Sequence, residues 1–295
     1  MTFSTLLSRS DHLILDGATG TELNRRGAET GLPLWSANAL MNEHDAGILQ
    51  SIHEDYLRAG ADIISTNTFR THRRALAPSG NADRALELTR RAVDIARASI
   101  VSVPGDRPRF VAGSISTLED CYRHDLVPPD DVLRVEHSER IHHLIECGVD
   151  LILIETINTL REAMVIAQLA LNTGTPAIVS FVCDRGGKIL SGETLTEAAG
   201  QLLPLGISAI GVNCGPTPFL DRPLAELRAA CGESFPLIAY GNIGYADETV
   251  GWINTDSETP SVYCEHASHW PAKIIGGCCG TTPDHIRQLA KAIRE

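Results

Sequence analysis

Apolar residues fall along this chain in short runs that close on polar residues and a turn, and the runs alternate with longer stretches patterned at helical spacing. The first run, His12 to Ala18, closes on Asp16 and Gly17, and a long loop is expected from there through Trp35. A helix starts near Asn42, carries Ile48, Leu49, Ile52 and Tyr56 on one face, and stops at Gly60. Ala61 to Thr68 and Arg109 to Ile115 are the next two strands, with helical sequence from about Asp83 to Ile100 between them. Pro128-Pro129 mark a helix entrance, and the helix runs to Cys147. Asp150 to Thr156 carries four apolar residues in a row before Glu155, the pattern of a strand covered on both faces. Strands follow at Pro176 to Val182, Ile207 to Asn213, Pro236 to Tyr240 and Lys273 to Gly277. Between them lie helices at Leu160 to Leu171, Thr196 to Leu205 and Pro223 to Cys231, then a less regular segment from Thr249 to Pro271. A last helix, Asp284 to Ile293, closes the chain.

Eight strand-helix units without a linker match a single (β/α)8 TIM barrel over residues 1–295 better than an open doubly wound sheet. Asp16, Thr68, Ser114, Glu155, Asn213, Cys214, Asn242, Cys278 and Cys279 then all fall at strand ends. In such a barrel those ends converge on the face where active sites lie.

The two adjacent thiols of Gly276-Gly277-Cys278-Cys279-Gly280 sit at a strand-to-helix turn, where flanking glycines let both sulfurs face one point. A buried structural pair and a vicinal disulfide are the plain readings; eight cysteines in the chain and glycine on both sides favour metal. Cys214, in Val212-Asn213-Cys214-Gly215-Pro216, is the other thiol in such a setting. Three thiolates without an obvious fourth ligand describe a catalytic zinc with one open position. Rival readings are a redox dithiol, or a structural zinc with Cys183 as fourth thiolate. Cys264-Glu265-His266 lies before a strand and suits a surface helix or loop better than a metal site. Arg70, His72, Arg73 and Arg74 are expected to form a solvated helix face, and His137, His142 and His143 to point outward. Lys188, Lys273 and Lys291 all miss the strand ends, which argues against a Schiff-base enzyme.

Charge narrows the partners. With 37 acidic against 25 basic residues, the net charge of −12 argues against nucleic acid and anionic membranes and suits a small-molecule ligand. Met1 to Asp11 lacks the pattern of a signal peptide, and no run approaches the ~18 apolar residues of a membrane span. The cysteines then suit reduced thiols of a cytoplasmic enzyme. The oligomeric state is not written in the sequence.

From Leu15 onward the chain resembles the zinc-dependent homocysteine S-methyltransferases. Asp16-Gly17-Ala18-Thr19-Gly20-Thr21-Glu22 is similar to that family's first-strand motif. Val212 to Gly215 is similar to its first zinc-ligand motif, and Gly276 to Pro283 to its double-cysteine motif. Leu34-Trp35-Ser36-Ala37 and Glu155-Thr156-Ile157 resemble members that use S-methylmethionine or S-adenosylmethionine. The resemblance implies Zn2+ on Cys214, Cys278 and Cys279, with Asn213 in the open position before homocysteine arrives. It also implies that Asp16, Glu155 and the backbone after Gly17 hold the amino-acid end of homocysteine. Thr68, Ser114, Asn242 and Trp35 complete the expected substrate contacts, Trp35 or Phe69 offering a ring face to a cationic donor. The sequence departs from the family at Ser116-Thr117, at Gly241 and at Arg70, all in barrel-mouth loops. Those departures leave betaine or another onium donor open as the alternative to a sulfonium.

Overall fold

The computed structural model describes residues 1–247, 251–254 and 258–294, with backbone alone over 245–247 and 251–254. Eight parallel strands form the barrel: β1 (Leu13–Ile14), β2 (Ile63–Ser65), β3 (Phe110–Ile115), β4 (Leu151–Ile157), β5 (Ala177–Phe181), β6 (Ala209–Pro216), β7 (Leu237–Asn242) and, after the antiparallel pair β8 (Gly244–Asp247) and β9 (Gly251–Asn254), β10 (Ile274–Gly277). The helices are α1 (Phe3–Arg9), α2 (Gly20–Arg25), α3 (Glu43–Ala59), α4 (Arg73–Leu76), α5 (Ala85–Ser102), α6 (Asp130–Glu146), α7 (Leu160–Leu171), α8 (Leu195–Leu202), α9 (Asp221–Cys231), α10 (Pro260–Ala267) and α11 (Pro283–Arg294). Strand order is β1-β10-β7-β6-β5-β4-β3-β2. The ends β1 and β2 meet through a parallel bridge between Leu15 and Ile63. Two hydrogen bonds complete the seam, Asp62 N–H to Ile14 C=O at 2.8 Å and Asp16 N–H to Ile63 C=O at 3.0 Å. The expected (β/α)8 barrel is therefore the observed fold.

Alternation explains why the strands are apolar throughout. Leu13, Leu15, Ile63, Phe110, Ala112, Leu151, Leu153, Ile178, Ala209, Ile238, Tyr240 and Ile274 pack together in the barrel interior. Their neighbours Ile14, Ile64, Val111, Ile152, Ile154, Val179, Ile210 and Val212 face the helices. Helix α1 adds Phe3, Leu6 and Leu7 to the interior cluster, the Phe3 ring meeting Phe110 edge-on at 5.7 Å between centroids. The plug is a single seven-residue helix lying ahead of the first apolar run, so the alternation of strands and helices does not announce it.

Other expectations change. The loop from Gly17 through Trp35 contains α2 and leads into a 3-10 turn, Trp35–Leu40. His137 does not point outward: it is fully buried and donates from Nε2 to Glu162 at 2.7 Å, whereas His142 is exposed. His72 is buried and Arg74 pairs with Glu119 and Glu136, so of the four residues expected on a solvated face only Arg73 is exposed. Of the segment expected to be less regular, residues 249–250 and 255–257 lie outside the described residues, while 260–267 form α10. Among the described residues no helix is long and apolar enough to cross a membrane.

At the seam's base, buried Asp62 accepts from Ile14 N–H at 2.9 Å and pairs with Arg107 at 2.8 Å and Arg294 at 2.7 Å. Asp62→Ala strands the Ile14 N–H without an acceptor, while both arginines can turn to water. A loss of about 2 kcal/mol is expected, seen as a lower denaturant midpoint at unchanged m-value.

Candidate active site

The mouth of the barrel is where β6 and β10 end, on either side of β7. Pairing between β6 and β7 shifts after Asn213, and Cys214 takes the left-handed conformation at φ 60°, which turns it out of the strand's alternation. On β10 the strand stops at Gly277, where a Cβ would run into the Thr281 side chain. Gly280 at φ 86° then reverses the chain so that Thr281 N–H returns to Cys278 C=O at 3.1 Å. Asn242, the last residue of β7, ties the two segments: its Nδ2 donates to Cys214 C=O at 2.8 Å and its Oδ1 accepts from Cys279 N–H at 3.1 Å.

The outcome is a cluster in which the sulfurs of Cys214, Cys278 and Cys279 all lie within 4.8 Å of one another. Hydrogen bonds from Cys278 and then Cys279 push the Cys214 thiol well below its ordinary pKa. The same contacts, made to a sulfur that is already an anion, push Cys278 and Cys279 well above theirs. One negative charge suits this cluster and three do not, unless a cation sits among them. Three soft donors with that deficit fit a soft divalent ion. Among the described residues no other Cys, His, Asp or Glu joins the group, so Cys183 is not a fourth sulfur and Cys264, on α10, is not a rival.

Two carboxylates stand beside the sulfurs. Asp16 is buried, which raises its pKa well above the usual carboxylate range; hydrogen bonds from Ser65 N–H at 2.8 Å and Ser65 Oγ at 2.9 Å oppose that, and Glu155 adds to it. Burial pushes Glu155 up to about 7, against hydrogen bonds from the Ser114 hydroxyl and from Tyr240 OH at 3.1 Å. Among the described residues neither carboxyl group has a salt-bridge partner, so two carboxyls that burial holds back from ionising face the mouth without a cation of the protein's own.

A sequence profile described as homocysteine S-methyltransferase matches residues 13–293. The chain belongs to that family. Homocysteine S-methyltransferase YbgG of Bacillus subtilis (strain 168) is 33% identical, over 94% of this chain and 93% of that one. Homocysteine S-methyltransferase 4 of Zea mays is 31% identical over 96% and 89%, and the selenocysteine methyltransferase of Astragalus bisulcatus is 29% identical over 95% and 92%. The crystal structure of the homocysteine methyltransferase MmuM from Escherichia coli in its metallated form has a TM-score of 0.84 at 26% identity, covering 98% of each chain.

Within this homocysteine S-methyltransferase fold the residues named from sequence divide into two groups. When ionised, Asp16 and Glu155 are acceptors only, their oxygens taking hydrogen bonds from Ser65, Ser114 or Tyr240 and keeping lone-pair capacity for a cation, and the half-buried Trp35 lays its ring against Gly20. The others are committed to the frame. Thr68 donates to Ser114 C=O at 2.7 Å, and Ser114 to Glu155. Gly17 backs onto Tyr56 and Thr281. Asn213 accepts from Thr156 N–H at 3.0 Å and Ser180 Oγ at 2.8 Å, and turns its Nδ2 towards Cys278 Sγ at 4.0 Å. Its oxygen is thus engaged away from the sulfurs, at odds with the open-position role that the resemblance implies. Sequence reasoning passed over Tyr240, Ser65 and Tyr122, whose hydroxyl lies 3.2 Å from Cys214 Sγ. Tyr240 closes a strand and was open to the strand-end argument; Tyr122 sits in an aperiodic loop with no such signal.

Purified under reducing conditions, the wild type is expected to hold about one soft divalent ion per chain. Cys214→Ser or Cys279→Ser removes it, and Cys147→Ser or Cys183→Ser keeps it. Loss of the ion on Cys264→Ala would displace the site from this cluster.

Proposed function

We propose that this chain, acting as one catalytic domain, methylates homocysteine to methionine with an S-methylsulfonium donor, S-methylmethionine or S-adenosylmethionine, around a Zn2+ ion held by Cys214, Cys278 and Cys279. The observation that carries the reading is the cluster of three sulfurs, one buried and two partly buried, beside two carboxyls that lack a salt-bridge partner. Bound there, zinc would let a substrate thiol of ordinary pKa about 8.5 serve as a thiolate at neutral pH. Asp16 and Glu155 supply the negative charge for the amino group of homocysteine, and the substrate's ammonium in turn favours the ionised form of Glu155. Tyr240 and Ser114 fix the Glu155 carboxylate from two sides.

The donor needs no acid or base from the protein, because a sulfonium departs as a neutral thioether. Binding and alignment remain. Trp35 offers a ring face to the donor's positive charge. Arg70, the residue out of keeping with the family, donates to Pro33 C=O at 3.1 Å, and Asn67 to Ser36 C=O at 2.8 Å, so both brace the segment that carries Trp35.

A methionine-formation assay with homocysteine and a panel of S-methylmethionine, S-adenosylmethionine, dimethylsulfoniopropionate, betaine and methylfolate tests the reading. Faster turnover with S-methylmethionine or S-adenosylmethionine than with betaine is expected; betaine leading would overturn the donor, and no methionine from any donor the acceptor.

Glu155 adds a pH signature. Its pKa is raised to about 7, so it becomes protonated as pH falls through that value and its hold on the ammonium is lost. The KM for homocysteine is expected to rise below pH 7, and Glu155→Gln to flatten that limb while raising KM about tenfold at pH 8. An unchanged limb in Glu155→Gln would assign it to another group.

A further inference from the structure

We propose that Tyr122 protects Cys214 from the enzyme's own methyl donor: its hydroxyl holds down the nucleophilicity of that sulfur, so that methylation falls on the acceptor. The inference rests on the methyl-transfer reading above. A centre built from cysteine thiolates shows an electrophile several sulfurs, and only the substrate's should react.

The Tyr122 hydroxyl lies 3.2 Å from Cys214 Sγ. A thiolate has no proton to give, so when Cys214 is ionised the hydroxyl is the donor. A lone pair held in a charge-assisted hydrogen bond is less available for attack. Amide groups near the sulfurs stand further off, Asn242 Nδ2 at 3.8 Å from Cys214 and Asn213 Nδ2 at 4.0 Å from Cys278. Tyr122 keeps 41% of its surface in solvent while turning the hydroxyl inward, so the side chain spans the route from solvent to this sulfur.

A buried polar cluster with no part in barrel closure holds the loop that delivers it. Arg140 on α6 donates to Ser116 C=O at 2.6 Å, Ser116 Oγ at 3.2 Å and Phe69 C=O at 3.4 Å. Glu162 on α7 accepts from Leu118 N–H at 3.0 Å and His137 at 2.7 Å. Asn158 donates to Asp120 C=O at 3.2 Å, and the Asp120 carboxylate accepts from Tyr122 N–H at 2.8 Å. Arg140, His137 and Glu162 are at most 6% exposed. Burying three ionisable groups is costly. Arg140 and Glu162 both reach the 116–118 backbone, four to six residues before the tyrosine.

The reaction held in check balances. The Cys214 sulfur bonds to the methyl carbon, the donor's carbon–sulfur bond breaks with its electron pair leaving on a neutral thioether, and Cys214 becomes S-methylcysteine, which has lost its anionic charge.

Metal-loaded wild type and Tyr122→Phe are treated with methyl iodide, without homocysteine, and the peptides carrying Cys214, Cys278 and Cys279 are followed by mass spectrometry. Phenylalanine keeps the ring and deletes the hydroxyl, with metal content and thermal midpoint confirming that the centre persists. Cys214 is expected to be methylated about tenfold faster in the variant, with Cys278 and Cys279 unchanged. Equal rates at Cys214 overturn the proposal, as does an equal acceleration at all three sulfurs, which would mean a more open pocket. Because methyl iodide is not the enzyme's substrate, a failure of the methyl-transfer reading would show in the donor panel and leave this comparison standing.

Discussion

The side-chain amide of Asn242 is the contact on which the sulfur cluster depends. Cys214 and Cys278 belong to strands that do not pair with each other; β7 lies between them, with Asn213 opposite Tyr240 on one side and Gly277 opposite Gly241 on the other. Register brings the two strand ends level, and the asparagine one residue further on reaches both, donating to one cysteine's carbonyl and accepting from the other's neighbour. Only a side chain with a donor and an acceptor at one end can do this, and an aspartate would set a second acceptor against the Cys214 carbonyl. The geometry of a metal centre is thereby transferred from loop conformation to barrel register.

Around that knot the mouth is built as a place short of positive charge. Three sulfurs and two carboxylates converge there, each carboxylate buried enough to resist ionisation, and the hydroxyls of Ser65, Ser114 and Tyr240 moderate the charge without cancelling it. A divalent ion, an ammonium and a sulfonium are the three cations the proposed reaction needs. The site is thus least favourable when empty, and it gains by binding each of them.

The barrel and its strand-end residues were legible because a parallel strand covered on both faces must be apolar until it leaves the core, so the first polar residue marks the mouth. The sulfur cluster followed from the same rule. Helix α6 was legible as a helix, but its buried face was not: Leu133, His137, Arg140, Ile141 and Leu144 all share the buried stripe, in good helical spacing, but two of the five are polar. A reading that sorts residues by polarity places such a stripe outside. What reverses it is a set of partners in the 116–118 loop and on α7, which no local pattern announces. Tyr122 was hidden for the same reason, since its position is set by that clamp.

Strain shows where the fold yields stability to the site. Among the described residues Trp35, Thr156 and Cys214 are the non-glycine residues in the left-handed region, with φ of 52°, 57° and 60°, and all three lie at the barrel mouth. Each such residue costs about 1 kcal/mol or more and persists only where its surroundings over-determine it. An asparagine does so each time. Asn213 accepts from Thr156 N–H and donates to its hydroxyl, Asn242 holds the Cys214 carbonyl, and Asn67 holds the carbonyl of Ser36, next to Trp35. Asn242 ends β7, Asn213 lies within β6 and Asn67 stands two residues beyond β2, whereas the residues they hold depart from strand geometry. Asn213 and Asn242 thus hold the strained backbone in place, and the mouth keeps one shape because these bonds tie it to the barrel strands.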